Sequence, residues 1–452
     1  MKQFATIAFR NLIAHRARSL ILGGAIALVT TMVVIMLALT SGIKTRMIEN
    51  ATALSTGHVN VGGFLKISQS SSAPIVMNAE KIRKMLETNI PEATLIVDRV
   101  RAFGKIISDQ NSIVVPMSGI DVTKERELLG HLALADKSEY LDGWVPKTGE
   151  SATEGKVSDL EERGGIILFA SHAKKLKVRV GDFVTISMPT YRNIYNTKDL
   201  KVVAVLKNLG MISSFTVFLH HADAREVYDM APDTTGVFQI YLKSLDQVPE
   251  VENRVRKLLA DGGLSLMDKD SNPFWMKFER VAGESWSGQK LDVTNWEDET
   301  SFLKWVLDIL NALTFALTLV LMTIVVIGLI NNLWMSVRER TSEIGTMRAL
   351  GLQRSGVLQM FVLESLMLSV LSVGAGLVFG SLIALAVNAL NIPVSSEAFV
   401  MFLMSNSLYL NVRPIDLVST FGILCLLLMI GAFIPAYRAS KMKPITAINH
   451  ID

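Results

Sequence analysis

Two Gly-Lys pairs, Gly104-Lys105 and Gly155-Lys156, are the closest the sequence comes to a phosphate-binding loop. Such a loop needs G-x-x-x-x-G-K-[ST], whose backbone N–H groups wrap the phosphates while the Lys and the hydroxyl reach the terminal phosphate and its Mg2+. Both pairs lack the upstream glycine and the following Ser or Thr, so neither reads as an ATP site. A serine nucleophile elbow, G-x-S-x-G, does not occur. His220 and His221 are adjacent and would face opposite ways in a strand, and no H-E-x-x-H spacing exists, so zinc chemistry is not expected. The one cysteine, Cys425, excludes an intrachain disulfide. No catalytic residue, metal or cofactor held by this chain is expected.

The charged residues with an informative pattern lie between two apolar runs, from Ser336 to Ser355. This segment reads as a short helix with Ile344, Met347 and Leu350 on one face and a break at Gly351. It has too little apolar surface to form a core of its own, and its mixed charge suits docking on a soluble partner. Glu364 follows closely. A carboxylate within a membrane span is a functional candidate, but its place near the basic segment favours an interfacial position, paired with Arg354 or Arg348.

Those residues need elements to hold them. Half of the 452 residues are hydrophobic, 19% are charged, and mean hydropathy is +0.37. A soluble domain carries about 25% charge, so the balance implies membrane spans beside a water-exposed part. It excludes disordered, collagen-like and disulfide-scaffold chains, and a net charge of +3 gives no reason to expect nucleic acid as a partner. A bilayer needs about 20 apolar residues per helix. Four stretches qualify, Ser19 to Ile43, Ile309 to Val337, Ser365 to Ser396 (with a turn at Asn391-Ile392-Pro393) and Leu417 to Tyr437. The first is too long for a signal h-region and lacks a good cleavage site, so it reads as an uncleaved anchor.

Lys/Arg placement sets the expected orientation. Lys2, Arg10, Arg16 and Arg18 precede the first span, Arg338, Arg340, Arg348 and Arg354 lie between the second and third, and Arg438, Lys441 and Lys443 follow the fourth. Against Glu339, Glu343 and Asp452 these give +8 on the cytoplasmic side, which leaves −5 elsewhere. Expected parts are a cytoplasmic amphipathic helix at 1–18, spans at 19–43, 305–337, 360–392 and 417–437, and an extracytoplasmic domain at 44–304. The coupling segment is 338–359, a short outer loop is 393–416 and the tail is 438–452. Phe4, Ile7, Ala8, Leu12 and Ile13 would face lipid in the N-terminal helix. Trp305 and Trp334 lie about 43 Å apart along a helix, a spacing that suits two interfaces. Gly376, Gly380, Ala384 and Asn388 recur every four residues and permit close helix packing, within the chain or between subunits.

The domain at 44–304 reads as α+β. Expected strands are Ser112 to Met117, Gly165 to Phe169, Phe183 to Ser187, Lys201 to Leu206, Phe215 to Leu219 and Val237 to Leu242. Expected helices are Ala79 to Glu87, Ser171 to Leu176, Ala222 to Met230 and Val248 to Ala260. A core subdomain split by an inserted one is expected. Met188 to Leu200 forms a hairpin longer than a turn needs, presenting Pro189, Tyr191, Ile194 and Tyr195. Val281 to Trp305 reads as a stalk at the membrane surface.

The run RERTSEIGTMRALGLQRSGVLQMFVLESLMLSVL resembles the signature of the MacB/FtsX-like permeases, transmembrane subunits of ABC transporters, through Glu343, Ile344, Gly345, Arg348, Ala349, Leu350 and Gly351. Glu364 matches the acidic position that follows. The ending PAYRASKMKPITAI, the opening IAFRNLIAHRARSLI and the four-span plan are similar to that family too, and GGIILFASHAKKLKVRVGDFVTISM with LKVVAVLKN resembles its periplasmic core domain. The resemblance implies a non-catalytic inner-membrane subunit, with ATP and Mg2+ on a separate cytoplasmic ABC ATPase dimer that grips the 338–359 segment through Glu343, Ile344, Gly345, Met347, Arg348, Ala349, Leu350 and Gly351. It implies pairing with a second permease chain and contact with membrane lipids. The lipoprotein-releasing branch, in which a hook-like loop recruits a soluble periplasmic carrier, is the first expectation, with the 188–200 hairpin in that place. Efflux of a peptide, drug or other amphiphile is the alternative. A membrane-anchored sensor or scaffold is the alternative of another class.

Overall fold

A computed structural model describes residues 16–68, 71–130, 132–145, 150–190, 194–394 and 407–442, with positions 10, 14, 399, 400, 403 and 405. Most of the expected N-terminal amphipathic helix, Tyr191 and the tail from 443 lie outside the described residues. In chain order, helix α1 (Arg16–Leu54) leads into strands β1 (Val59–Ser68), β2 (Ser71–Ala73) and β3 (Val76–Met77), then α2 (Ala79–Asn89), β4 (Ala93–Ile107) and β5 (Ser112–Ile120). Next come β6 (Gly165–Phe169), α3 (Ala170–Leu176), β7 (Phe183–Pro189), β8 (Tyr195–Leu206), β9 (Val217–His220) and α4 (His221–Val227). The strands β10 (Thr234–Thr235) and β11 (Val237–Leu242), helix α5 (Val248–Asp261) and strand β12 (Gly288–Asn295) complete this part. The chain closes with α6 (Ser301–Glu339), α7 (Thr341–Ala349), α8 (Arg354–Leu390) and α9 (Pro414–Ser440).

Two units result. One comprises Met1–Thr45, Val306–Pro393 and Ser407–Asp452, the other Arg46–Trp305 and Val394–Asn406. Four helices, α1, α6, α8 and α9, are long and apolar enough to cross a membrane. α1, α6 and α9 extend beyond both ends of the apolar runs read from sequence, because the backbone ladder continues through the charged flanks, whereas α8 begins earlier, at Arg354, but ends at Leu390, short of Ser396, where Asn391 turns left-handed at φ +43°.

In the helical unit the small-residue stripe of α8 packs against α1. A Cβ on Gly376 would stand 2.5 Å from the Ala27 carbonyl oxygen and 2.5 Å from Thr30 Cβ, and one on Gly380 would stand 2.8 Å from Val34 Cβ. Thr31 Oγ1 donates to the Gly376 carbonyl at 3.1 Å. Ala384 is buried with Ala38 and Leu410, and Asn388 exchanges two hydrogen bonds with the Leu410 backbone at 2.8 and 2.9 Å. The open choice between packing within and between subunits is thus met within the chain. Thr40 and Thr314 hydroxyls meet at 2.7 Å and join α1 to α6.

In the α+β unit, β4 is the organising element. Its first half pairs with β11, from Ala93 to Arg99, and its second half pairs with β5, from Val100 to Ile107. Lys105 to Ile107 pair with β7 on the other side. The ladder β4-β5-β9-β6-β8-β7 therefore returns to β4 as a closed six-stranded barrel, and β11, β1 and β12 extend from β4 as an open sheet. The β5–β9 and β6–β8 pairs are parallel and the rest antiparallel. Period-2 alternation fills the barrel, with Val184, Ile186 and Met188 of β7 facing in beside Ile106, Met117, Leu168, Val202 and Leu219. The open sheet packs Val59, Val61, Phe238, Ile240, Leu291 and Val293 against Ile82 and Leu86 of α2 and Val251, Val255 and Leu259 of α5. Closure removes the sheet edges of one half and two helices cover the other.

Several expectations need correction. The strands β1, β4 and β12 were not among those expected. The expected strand from Phe215 starts at Val217, because Ile212–Phe215 forms a 3-10 turn. Within the expected Val281 to Trp305 stalk, Gly288–Asn295 is a strand paired along β1, and it is followed by the one-turn helix Trp296–Glu299 and the start of α6. Trp286 packs beside Phe64, Met267 and Val281.

Candidate functional site

Helix α7 follows from its ends. Glu343 in the first turn and Arg348 in the last complement the helix dipole. Gly351, at φ +102°, stops it. The Leu352 amide donates to the Met347 carbonyl at 3.1 Å and the Gly351 amide to the Arg348 carbonyl at 3.2 Å, the paired bonds of a Schellman motif. Any side chain at 351 would strain this left-handed turn. Ile344 is fully buried among Val337, Val357, Met360, Phe361, Ala436 and Ala439, which close the ends of α6, α8 and α9, and Met347 and Leu352 pack on their rim.

Two arginines bolt the helix down. Arg340, at its N-cap and buried, donates from Nε to Glu343 at 3.1 Å and from Nη1 to Glu364 of α8 at 3.2 Å, with its guanidinium 5.6 Å from the Phe361 ring centre. Arg348 Nη1 donates to the carbonyls of Ser440 at 3.0 Å and Met442 at 2.7 Å. Glu364 therefore meets Arg340, whereas the expectation was Arg354 or Arg348. The reason is geometric: Arg348 points to the far end of α9, where orphan helix-end carbonyls need donors. Arg438 adds a contact 5.2 Å from the Trp334 ring centre, joining α9 to α6.

What stays outward is a narrow edge. Glu343 (side chain 62% exposed), Thr346, Ala349, Leu350, Gly351 and Arg354 face solvent. Leu350 is 84% exposed, so it does not share the buried face with Ile344 and Met347. The C-terminal turn rotates it off that face. Gly345 is buried with Ile344. Helix α7 and the turn that leads into α8 thus combine a rigid seat with an exposed carboxylate at Glu343, an exposed leucine at Leu350 and the guanidinium of Arg354. Sequence reading missed Arg340 as the hub. The available signal was an arginine directly before the Thr-Ser helix start, one turn from Glu343.

The hairpin of β7 and β8 is mostly strand. Pro189 pairs with Tyr195, the Thr190 amide donates to the Ile194 carbonyl at 2.7 Å and the Ile194 amide to Thr190 Oγ1 at 3.1 Å. Much of the loop expected over 188–200 is paired strand, as far as Pro189 and again from Tyr195, and 191–193 lie outside the described residues. Ile194 and Tyr195 are exposed and Pro189 is half-buried. Among the described residues no group of His, Cys, Asp or Glu is arranged to hold a metal ion.

Four long apolar helices with a large α+β unit inserted between the first and second define a multi-pass membrane protein of permease type. Residues 19–258, more than half the chain, match the MacB-like periplasmic core domain family, and residues 315–444 match the FtsX-like permease C-terminal family. The chain belongs to this MacB/FtsX-like family of ABC transporter permeases. It is 30% identical over 149 residues to the macrolide export ATP-binding/permease protein MacB of Psychrobacter cryohalolentis, covering 31% of this chain and 20% of that one. It therefore spans about a fifth of the length of the curated MacB relatives it matches. An ABC transporter permease of Methanocaldococcus jannaschii is 22% identical over 273 residues, 60% of this chain and 58% of that one. The periplasmic region of MacB from Actinobacillus actinomycetemcomitans aligns with a TM-score of 0.31 at 10% identity, covering 56% of this chain and 94% of that one.

Proposed function

We propose that the chain is the transmembrane subunit of a mechanotransmission ABC transporter. A partner ATPase dimer in the cytoplasm grips the exposed edge of α7, and ATP-driven closure moves the long helices, which pass the motion to the extracytoplasmic α+β unit. The observation that carries this is Leu350. A large apolar side chain 84% exposed at the tip of a helix fixed by Arg340 and Arg348 is the surface a soluble partner would cover. The basic residues beside α7 and at the chain's ends support a cytoplasmic location for this side of an inner-membrane protein. The absence of a P-loop motif in these residues supports ATP hydrolysis on another chain. Two permease chains, identical or paralogous, would match two ATPases.

For cargo, the relatives named macrolide exporters favour efflux of an amphiphile. Release of lipid-anchored proteins to a soluble carrier is the second reading, favoured by the exposed Ile194 and Tyr195 at a hairpin tip. Co-expression of this chain with ATPase genes beside its own, followed by purification in detergent, tests the reading. An ABC ATPase should co-purify, and Leu350→Asp should abolish its recovery while membrane insertion persists. Failure to recover any ATPase would leave a sensor or scaffold as the better account.

A further inference from the structure

The C-terminal end of α1 is seated by side chains from two strands of the α+β unit. Tyr241 Oη donates to the Thr52 carbonyl at 3.0 Å, Gln239 Nε2 to that of Ser55 at 3.1 Å, and Arg99 to those of Leu54 at 2.9 Å and Ala53 at 3.0 Å. The last carbonyls of a helix have no partners of their own, so these donors fix the helix end to β4 and β11. Arg99 is fully buried, with Glu125, also fully buried, as its counter-ion. Burial opposes the charge of Arg99, yet Glu125 holds its pKa above the usual value.

The start of α6 is seated by the same strand. A one-turn helix, Trp296–Glu299, precedes α6 and is capped by reciprocal Asn295 and Asp298 bonds. Its Glu299 accepts from Thr294 Oγ1 at 2.8 Å and meets the Arg101 guanidinium at 3.5 Å. Arg101 stacks 4.3 Å from the Phe274 ring centre. Arg99 and Arg101 are two apart in one strand, so they face the same side about 7 Å from each other. They also straddle the place where β4 passes from the open sheet to the barrel, since Arg99 pairs with Val237 of β11 and Arg101 with Ser118 of β5.

We propose that Arg99 and Arg101 are positioning residues that yoke the roots of α1 and α6 to the seam of β4, so that relative movement of the two roots turns the barrel against the open sheet. This rests on the reading of ATPase-driven helix movement above. A helix end tied only to the sheet would carry the α+β unit as one block. Ties on either side of the seam make the unit respond internally to the spacing of the roots. Arg101→Gln leaves β4 and the Arg99 seat in place but releases the root of α6, and Glu299→Gln does the same while keeping an acceptor for Thr294.

The test is a pulsed electron–electron resonance distance in the full chain with its ATPase, in lipid nanodiscs. Nitroxides are placed at Val114→Cys on the barrel and Lys257→Cys on α5, in a Cys425→Ser background. With ATP and vanadate the otherwise unaltered chain should shift by several ångströms. Arg101→Gln and Glu299→Gln should lose that shift, and the exchanged pair Arg101→Glu with Glu299→Arg should recover it, with the ATPase still co-purifying in every case. A purely structural role would lower the melting temperature without abolishing the shift. If the unaltered chain shifts and both single variants shift equally, or if the exchanged pair does not recover, the yoke is overturned while the transporter reading stands. If the unaltered chain does not shift although its ATPase co-purifies and hydrolyses ATP, the unit moves as one block and the yoke is overturned while the transporter reading stands, whereas failure of any ATPase to co-purify overturns the reading beneath it.

Discussion

Arg340 and Glu364 meet at 3.2 Å between the N-cap of α7 and the early part of α8, with side chains 8% and 15% exposed. This pair fixes the angle at which α7 leaves the long helices. Removing one partner of a fully buried pair costs 3–5 kcal/mol. Because Glu343 remains beside Arg340, Glu364→Gln should cost about 2 kcal/mol. Glu343→Gln removes only an exposed carboxylate and should change stability by less than about 0.5 kcal/mol. Thermal melts of the full chain in detergent check the ranking, and Arg340→Glu with Glu364→Arg should regain part of the loss.

Close packing of α8 on α1 predicts an ordered series at three glycines. Gly376→Ala drives a Cβ into the backbone oxygen of Ala27, which cannot move without separating the helices. Gly380→Ala meets the Val34 side chain, which can adjust partly, and Gly374→Ala meets nothing within 4 Å. The expected losses are about 2–3 kcal/mol, about 1 kcal/mol and none, respectively. Melting temperatures in one detergent should fall in that order. An equal response at all three would mean that the stripe does not face α1.

The four apolar spans and the C-terminal end of α7 were legible because long apolar runs and a Gly351 break leave local signatures, whereas the start of α7 at Thr341 was not, since Ser336 to Glu339 continue α6. Gly165–Phe169 and Val237–Leu242 match the strands read from sequence, since continuous β-branched burial marks a central strand. β4 was not legible. Asp98, Arg99 and Arg101 interrupt its apolar pattern, and only the fold reveals that Arg99 is buried against Glu125 and helix-end carbonyls. Barrel closure was equally hidden, because β4–β7 pairing joins residues about eighty positions apart with no local turn to announce it. The Arg340–Glu364 contact depends on how α7 folds back on α8, which spacing alone does not specify. An arginine at every second position within a β-branched run would have signalled a strand with one polar, buried face.

Asp98 gives the α+β unit a defined acid sensitivity. Burial raises its pKa, but His221 and Arg83 outweigh that and bring it down to about 2. A depressed carboxylate pKa contributes stability above its unfolded value near 4, which is lost as pH falls toward 2. The shift corresponds to about 2 kcal/mol. Asp98→Asn should therefore lower the melting temperature at pH 7, with a difference that narrows below pH 4 and closes near pH 2. A constant difference across that range would show that Asp98 acts through shape and not charge.

Docking and seating on α7 should separate by mutation. Glu343 lies on the exposed edge, whereas Arg348 faces the last carbonyls of α9. Glu343→Arg reverses an exposed charge and removes one of two carboxylates beside the buried Arg340, which keeps Glu364, so melting should reflect a loss of only about 1 kcal/mol while stimulation of the partner ATPase falls severalfold. Arg348→Glu places a carboxylate against the Ser440 and Met442 carbonyls, an acceptor against acceptors. It should cost about 2–3 kcal/mol and reduce stimulation as well. Arg348→Lys keeps the charge but shortens the side chain whose Nη1 donates to both carbonyls, so it should fall between. ATPase assays with melting curves on the same preparations read both axes. If Glu343→Arg lost stability as much as coupling, the exposed edge would be part of the seat, and docking would have to lie elsewhere on the helical unit.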